Sequence, residues 1–181
     1  MSLKAKIVAE IIGREGGYSN NPADSGGETM YGITVAVARA NGYTGPMRAM
    51  PRAVAERIIG AEYCDALSLD AVEALTPPIA AELADTAVNM GVAVAGRFLQ
   101  RALNAFNQGG GLYRDLAVDG RCGPVTVAAL RAYLAHRRTD GERVMLRALN
   151  ALQGARYIEL AEAREKDEAF VFGWILNRVV I

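Results

Sequence analysis

The sequence predicts a mainly α-helical fold with at most one short β-hairpin. Apolar residues recur at helical spacing along most of the 181-residue chain, and no stretch keeps the period-two alternation of a half-buried strand. Only the glycine-rich loop between Tyr18 and Ile33 has room for a hairpin. We therefore expect helices to form the core and this loop to interrupt them near the N-terminus.

The first predicted helix runs from Ser2 to Arg14 and brings a glutamate to its end. Ile7 and Ile11 lie on one apolar stripe, and Gly16-Gly17 is a helix stop. Glu15 then occupies the last turn, where the partial negative charge of the helix disfavours ionisation of a carboxyl group. A carboxyl that stays protonated near neutral pH can act as a general acid. The alternative is an exposed surface glutamate beside a helix cap.

Helix start and stop signals recur along the rest of the chain. Thr34 can cap a short helix that ends at Asn41-Gly42. Pro77-Pro78 begins a longer helix, which we expect to be central because its apolar residues keep a helical period. A further helix is predicted from Val92 to Phe106, followed by a flexible connector over residues 107–111.

Composition places the chain among globular proteins and argues against nucleic-acid binding. Hydrophobic residues make up 51% and charged residues 22%, and 20 basic residues balance 20 acidic ones. The balance hides an asymmetry, because residues 96–181 carry 13 basic and 9 acidic side chains, a net charge of +4. Such an excess favours an anionic polymer as partner, although charges spread over helices are also typical of a solvated face.

Several kinds of site have no basis in the sequence. Cys64 and Cys122 belong to no paired motif, and His136, the one histidine, has no clustered partners. We therefore expect no metal, no cofactor and no nucleophilic triad. The N-terminus lacks the features of a signal peptide, and no apolar run approaches the ~18–20 residues that span a bilayer. The sequence thus predicts a protein made in the cytoplasm, without a membrane span.

The loop from Glu15 to Ile33 is the candidate active site. It contains five glycines, so its backbone turns repeatedly and can gather side chains around a ligand. Its carboxylates and its hydroxyl-bearing residues are Glu15, Asp24, Glu28, Tyr18, Tyr31 and Thr29. We expect Tyr18 and Tyr31 to bind substrate.

Three blocks of this loop carry a resemblance to a known family. They are Glu15-Gly16-Gly17-Tyr18, then Asn21-Pro22-Ala23-Asp24-Ser25-Gly26-Gly27, then Thr29 with Tyr31-Gly32-Ile33. Together they resemble the signature of glycoside hydrolase family 108, the bacterial and phage N-acetylmuramidases of the lysozyme superfamily. The resemblance implies a lysozyme-like, two-lobed helical fold, and it makes Glu15 the catalytic acid.

The order of Glu15, Asp24 and Thr29 is also similar to phage-type lysozymes, in which the aspartate and the threonine bracket the attacking water. The resemblance gives these two residues the same role here. The Asp–Thr spacing is five residues in this chain, one fewer than in the phage enzymes. Asp24 has a second interpretation, because Asp before Gly26-Gly27 favours an Asx-turn in which the carboxylate accepts from their amides.

Two further resemblances cover most of the remaining chain. Asp85, Asn89 and Gly91 resemble a second motif of the family, which implies that Asn89 binds substrate or holds the Glu15 loop; it also fits a residue that only caps a turn. A resemblance to small peptidoglycan-binding modules is carried by Leu99-Gln100, Leu103, Val118-Asp119-Gly120, Gly123-Pro124, Thr126 and Ala129-Leu130. A resemblance to the family's terminal motif is carried by Phe170, Gly173-Trp174, Leu176 and Arg178. These resemblances divide the chain into a catalytic region, residues 1–95, and a helical peptidoglycan-binding-like region, residues 96–181.

The implied reaction is cleavage of the β-1,4 bond between N-acetylmuramic acid and N-acetylglucosamine in peptidoglycan glycan strands, as in phage or prophage endolysins. Without a signal peptide, such an enzyme reaches the wall or periplasm through a holin, another exporter or lysis. Two alternatives stay open. One is a non-catalytic wall-binding or secretion-assisting protein that keeps the fold. The other is a lytic transglycosylase, which shares the acid Glu15 and differs in what attacks the anomeric carbon.

Overall fold

The computed structural model describes residues 3–15, 17–20 and 27–179, except for the side chains of residues 14 and 15. The predicted mainly α-helical fold is confirmed, since helices account for most of the described chain and the strands for three short pairs of residues. The chain divides into two compact units, Met1–Ala66 and Leu67–Ile181.

The N-terminal unit combines helices with a small sheet. Its elements are α1 (Leu3–Glu15), β1 (Tyr18–Ser19), β2 (Thr29–Met30), β3 (Ile33–Thr34), α2 (Val35–Ala40), a 3-10 turn over Met47–Ala49, α3 (Arg52–Ile59) and a π-helical turn over Gly60–Asp65. The predicted apolar stripe of α1 is buried, with Ile7 and Ile11 each less than 9% exposed, and α1 packs against α3. Thr34 caps α2 as predicted, because its hydroxyl oxygen accepts from the backbone N–H of Val37 at 3.3 Å.

The sheet lies where the sequence allowed a hairpin. Its strand order is β1-β2-β3, with both pairs antiparallel. Tyr18 pairs with Met30 across the first pair of strands, and Met30 pairs with Ile33 across the second. The sequence predicted at most one short hairpin in this loop, and the structure has a second antiparallel pair, in which β3 lies on the far side of β2.

The C-terminal unit is helical. It consists of α4 (Leu69–Leu75), α5 (Pro77–Met90), α6 (Val92–Phe106), α7 (Pro124–Arg137), α8 (Thr139–Ala163), a 3-10 turn over Glu165–Asp167 and α9 (Glu168–Arg178). Within this unit α5 packs against α4, α6 and α8, so its predicted central position is confirmed. The starts of α5 and α7 each have a proline in the first helical turn, where a missing N–H costs no hydrogen bond.

One long segment of this unit, residues 107–123, forms neither helix nor strand. Sequence reasoning predicted a flexible connector over its first five residues, and the structure corrects that view. Asn107 is only 2% exposed, and its side-chain oxygen accepts from the backbone N–H of Gly110 at 3.0 Å. The glycines therefore turn around a buried amide instead of forming an unattached linker.

Candidate active site

The candidate acid stands at the junction between α1 and the sheet. Glu15 is the last residue of α1, which is the position that the Gly16-Gly17 stop predicts. β1 begins three residues later at Tyr18. The side chain of Glu15 and the whole of Asp24 lie outside the described residues, so the roles predicted for these two carboxyl groups stay predictions.

Thr29 is held by the main chain on both sides. It lies on the middle strand β2, paired with Ser19 of β1 and with Thr34 of β3, and its side chain is half-buried. Backbone pairing with two neighbours fixes the direction of a side chain more firmly than a loop does. The predicted candidate therefore sits on the best-supported strand of the small sheet.

Tyr18 is anchored by Glu28, a carboxylate of the same loop, and by Arg48, which the sequence did not indicate. Its hydroxyl donates to Oε1 of Glu28 at 3.0 Å, and the guanidinium carbon of Arg48 lies 4.5 Å from the centre of its ring, within the range of a cation–π interaction. The backbone carbonyl of Glu28 in turn accepts from the N–H of Val35 at 2.9 Å. Glu28 was visible in the sequence as a loop carboxylate beside Thr29, whereas Arg48 gave no signal because it follows 30 residues after Tyr18 in sequence.

Tyr31 occupies a strained turn. It and Gly32 connect β2 to β3, and their φ angles are 54° and 74°. Positive φ at both central positions is the pattern of a type I′ hairpin turn, which favours Asn-Gly. A tyrosine in the left-handed region costs about 1–2 kcal/mol relative to glycine, and such strain tends to collect at functional sites. The half-buried ring is thus held at the tip of the hairpin by a turn that other residues would form more readily.

Asn89, the remaining candidate, belongs to a polar cluster of the C-terminal unit. Its side-chain N–H donates to the backbone carbonyl of Asp85 at 2.7 Å and to the carboxylate at 3.1 Å. The same carboxylate accepts from Arg178 at 2.5 Å and from Gln153 at 3.0 Å. Burial, and secondly the negative charge of Asp85, raise the pKa of the nearby Glu82 to about 7. Asp85 is therefore the centre of a network that joins α5 to α8 and α9.

Other chemistry has little support in the described part of the chain. Burial, followed by the charge of Asp119, raises the pKa of the Cys122 thiol to about 12, so this sulfur stays protonated and a poor nucleophile. Among residues 3–15, 17–20 and 27–179, no group of three or more His, Cys, Asp or Glu side chains is placed to hold a metal ion. The described helices include none that is both long and apolar enough to cross a membrane.

Comparison with known proteins gives one family match for each half of the chain. Residues 8–91 match the family model described as Glycosyl hydrolase 108. This match covers 84 of the 181 residues, so it shows what the N-terminal half of the chain is similar to. Residues 94–179 match a second model, described as a Predicted Peptidoglycan domain. The resemblance predicted from the sequence is thus confirmed in both halves, and the two matches support a family 108 glycoside hydrolase that acts on peptidoglycan at the cell wall.

Similarity to a solved structure supports the fold. The chain matches the structure of Brucella abortus SagA with a TM-score of 0.56, over 98% of this chain and 96% of that one, at 21% identity. At this level of identity the match shows a shared fold. No curated protein matches the sequence significantly.

The boundary between the two matched regions lies inside the C-terminal compact unit. Helix α5 lies in the family 108 match but in the same compact unit as the peptidoglycan domain. The ion pair between Asp85 and Arg178 joins the two matched regions directly, and both side chains are partly shielded from solvent, with exposures of 36% and 22%. Residues 67–91 of the hydrolase region therefore depend on the C-terminal helices for their packing.

Proposed function

We propose that this protein is a family 108 N-acetylmuramidase that cleaves the β-1,4 bond between N-acetylmuramic acid and N-acetylglucosamine, with Glu15 as general acid. One observation carries the proposal: the C-terminal residue of α1 is Glu15, and the sheet that follows holds Thr29 on its middle strand. A helix C-terminus favours the protonated carboxyl that a general acid requires.

In this mechanism Glu15 gives its proton to the glycosidic oxygen as the bond from that oxygen to the anomeric carbon breaks. Water, held between Asp24 and Thr29, attacks the opposite face of the sugar and loses a proton to Asp24. Tyr18, Tyr31 and Asn89 are the substrate-binding residues of the proposal. The bonds that Tyr18 makes to Glu28 and Arg48 support a role in which it also keeps the sheet in place.

The proposal assigns catalysis to residues 1–95 and wall attachment to residues 96–181. It also places the enzyme with the phage or prophage endolysins, which reach the wall through a holin, another exporter or lysis. Support for this origin comes only from the loop signature, and the predicted reaction does not depend on it.

Product analysis tests the reaction type. The purified protein is incubated with insoluble peptidoglycan, and the released muropeptides are analysed by mass spectrometry. A hydrolase leaves muramic acid at the reducing end, whereas a transglycosylase leaves an anhydro-sugar, because the substrate's own hydroxyl then closes the ring. Anhydro products would replace the muramidase proposal by the transglycosylase alternative, and a lack of any soluble product would favour the non-catalytic one.

Replacement of the acid tests its identity. Glu15→Gln is isosteric and should keep the fold, yet it should lower the rate of wall digestion by about 10²–10⁴-fold, because the amide cannot donate a proton in the transition state. Glu10→Gln on the exposed side of the same helix is the matched control and should leave the rate unchanged. Circular dichroism checks that both variants are folded. An active Glu15→Gln protein would move the acid to another residue.

A further inference from the structure

A second candidate binding site lies in the C-terminal unit, far along the chain from the Glu15 loop. A groove of about 560 Å³ is bounded by the 107–123 loop and the start of α7, and its volume lies within the roughly 300–1,000 Å³ of typical ligand pockets. The residues that line it and matter for its chemistry are Tyr113, Arg114, Leu116, Arg121, Val125 and Ala129. An irregular segment of this length inside a compact unit is uncommon unless it has a function.

The loop wall of the groove is fastened by amide side chains on one face of α6. Gln100 and Asn104 stand four residues apart on this face, and Asn107 is the residue that follows the last turn of the helix. Asn104 donates to the carbonyl of Leu116 at 2.9 Å and accepts from its N–H at 2.8 Å. Asn107 donates to the carboxylate of Asp115 at 2.6 Å. These bonds replace the backbone pairing that the loop lacks.

Gln100, one turn earlier on α6, holds the other end of the loop. Its side-chain oxygen accepts from the N–H of Gly120 at 2.8 Å, and its side-chain N–H group donates to Asp119 and to the carbonyl of Arg121 at 2.8 and 3.1 Å. Gly120 lies so close to α6 that a Cβ on Gly96 would come 2.1 Å from its carbonyl oxygen. The wall is therefore formed before any ligand arrives, which lowers the entropic cost of binding.

The acidic and the basic side chains of the loop wall differ in their hydrogen-bond partners. Asp115 and Asp119 accept hydrogen bonds from the amides named above, and the bond from Gln100 is the main cause that lowers the pKa of Asp119. Arg114 and Arg121 are exposed. The charge of Arg121 also helps to lower the pKa of Asp119, but within the described chain neither guanidinium forms an ion pair at 4 Å or less. The carboxylates thus serve the loop, while the two cations face solvent at the groove.

The lining favours a carboxylate-bearing peptide over a sugar. Leu116, Val125 and Ala129 present small apolar groups, which suit methyl side chains. Tyr113 is the aromatic ring of the groove, and its hydroxyl already donates to the carbonyl of Leu103 at 2.9 Å. In peptidoglycan the free carboxylates and the alanine methyls belong to the stem peptides, because the lactyl carboxyl of the glycan is amide-linked to the peptide.

We propose that this groove binds the stem peptide of peptidoglycan, with Arg114 and Arg121 pairing its carboxylates and the apolar floor receiving its alanine side chains. The inference rests on the proposed function, since it takes peptidoglycan as the substrate. It assigns the glycan strand to the N-terminal loop and the peptide to the C-terminal groove. Charge-assisted hydrogen bonds to arginine supply both attraction and orientation.

The test is a titration of the full-length protein with a soluble tetrapeptide, L-Ala-γ-D-Glu-meso-diaminopimelate-D-Ala, followed by ¹H–¹⁵N NMR. The amide signals of residues 113–126 should shift. Arg114→Gln/Arg121→Gln should weaken binding about tenfold or more. Arg131→Gln/Arg147→Gln, which removes the same charge from exposed positions outside the groove, is the matched control. Val125→Glu, at a side chain that is 73% exposed, should also weaken binding by placing a like charge beside the ligand.

Three outcomes would overturn the inference: no shifts with the tetrapeptide, an equal loss of affinity in the control, or shifts of the same residues with N-acetylglucosamine oligomers, which carry neither peptide nor lactyl carboxylate. Muropeptide release by the wild-type protein is measured in parallel. Release without tetrapeptide binding rejects the groove and leaves the muramidase proposal intact. Tetrapeptide binding without release rejects the muramidase proposal and supports the groove.

Discussion

The hairpin region near Glu15 and the 107–123 loop are both rich in glycine, but they are held by different means. Three strands of two residues each pair their backbones in the first region. In the second, amide side chains of α6 bind the loop backbone. Backbone pairing leaves side chains such as that of Thr29 available for chemistry. Side-chain fastening uses the amides of the helix and two carboxylates of the loop, and it leaves Arg114 and Arg121 at the groove.

Glycine serves a different purpose in each of these two regions. Gly32 supplies a positive φ for the hairpin turn. Gly96 has no unusual φ, and its lack of a side chain instead lets the 107–123 loop approach α6. Conformation is the requirement in the first case and space is the requirement in the second, so substitutions should separate them.

The largest expected effect is on Gly96. Gly96→Ala places a Cβ 2.1 Å from the carbonyl oxygen of Gly120, so the loop must move, and we expect a loss of about 3 kcal/mol or more in the free energy of unfolding. Gly13→Ala in α1 is the control, because nothing lies within 4 Å of the added Cβ. That change should raise the helix stability by about 0.5–1 kcal/mol. Urea unfolding measures both, and equal effects would contradict the close approach.

A smaller loss is expected for Gln100. Gln100→Ala leaves the N–H of Gly120 without its acceptor in a buried place, which should cost about 1–3 kcal/mol. Gln108→Ala, at an exposed position of the same loop, should change stability by about 0.5 kcal/mol or less. Urea unfolding compares them, and hydrolysis of peptide-free glycan strands should proceed at the wild-type rate in both. A fall in the hydrolysis rate that accompanies the stability loss of Gln100→Ala would show that the hairpin region and the 107–123 loop do not act separately.

Tyr31 offers a test with a small effect on stability. Tyr31→Asn creates the Asn-Gly pair that type I′ turns favour, so the turn strain falls by about 1 kcal/mol, offset by the lost contacts of the ring. We expect unchanged or slightly higher thermal stability together with lower activity on peptidoglycan, if the ring binds substrate. Full activity in a stable Tyr31→Asn protein would assign the ring to packing alone. Calorimetry and the muropeptide assay provide the two measurements.

A further test concerns the pH dependence of stability in the C-terminal unit. The pKa of Glu82 rises from 4.5 to about 7 on folding, so its stabilising contribution is complete below pH 4.5 and is lost as the pH rises through 7. Glu82→Gln cannot ionise and should be more stable than the wild type at pH 8, with little difference at pH 4. Glu162→Gln, at an exposed position, should keep the wild-type pH dependence. Thermal unfolding at the two pH values decides between these outcomes.

Local sequence signals predicted most of the helices, whereas the residues proposed for the site came from the loop signature. The predicted bounds of α6, the proline start of α5 and the Thr34 cap agree with the structure, and the predicted end of α1 at Arg14 is one residue short. Caps, prolines and apolar periodicity act within a few residues of the position they affect, so they can be read locally. The loop signature likewise indicated Thr29, Tyr18 and Tyr31 before any geometry was known.

Contacts between residues that are distant in sequence became apparent only in the tertiary structure. It brought Arg48 to Tyr18, fastened the 107–123 loop through Gln100, and paired Asp85 with Arg178, 93 residues later. A residue's own neighbours in sequence carry no record of such a partner, because these contacts arise when the helices pack. Local chemistry fixed the elements and the signature, and packing fixed the residues that hold them in place.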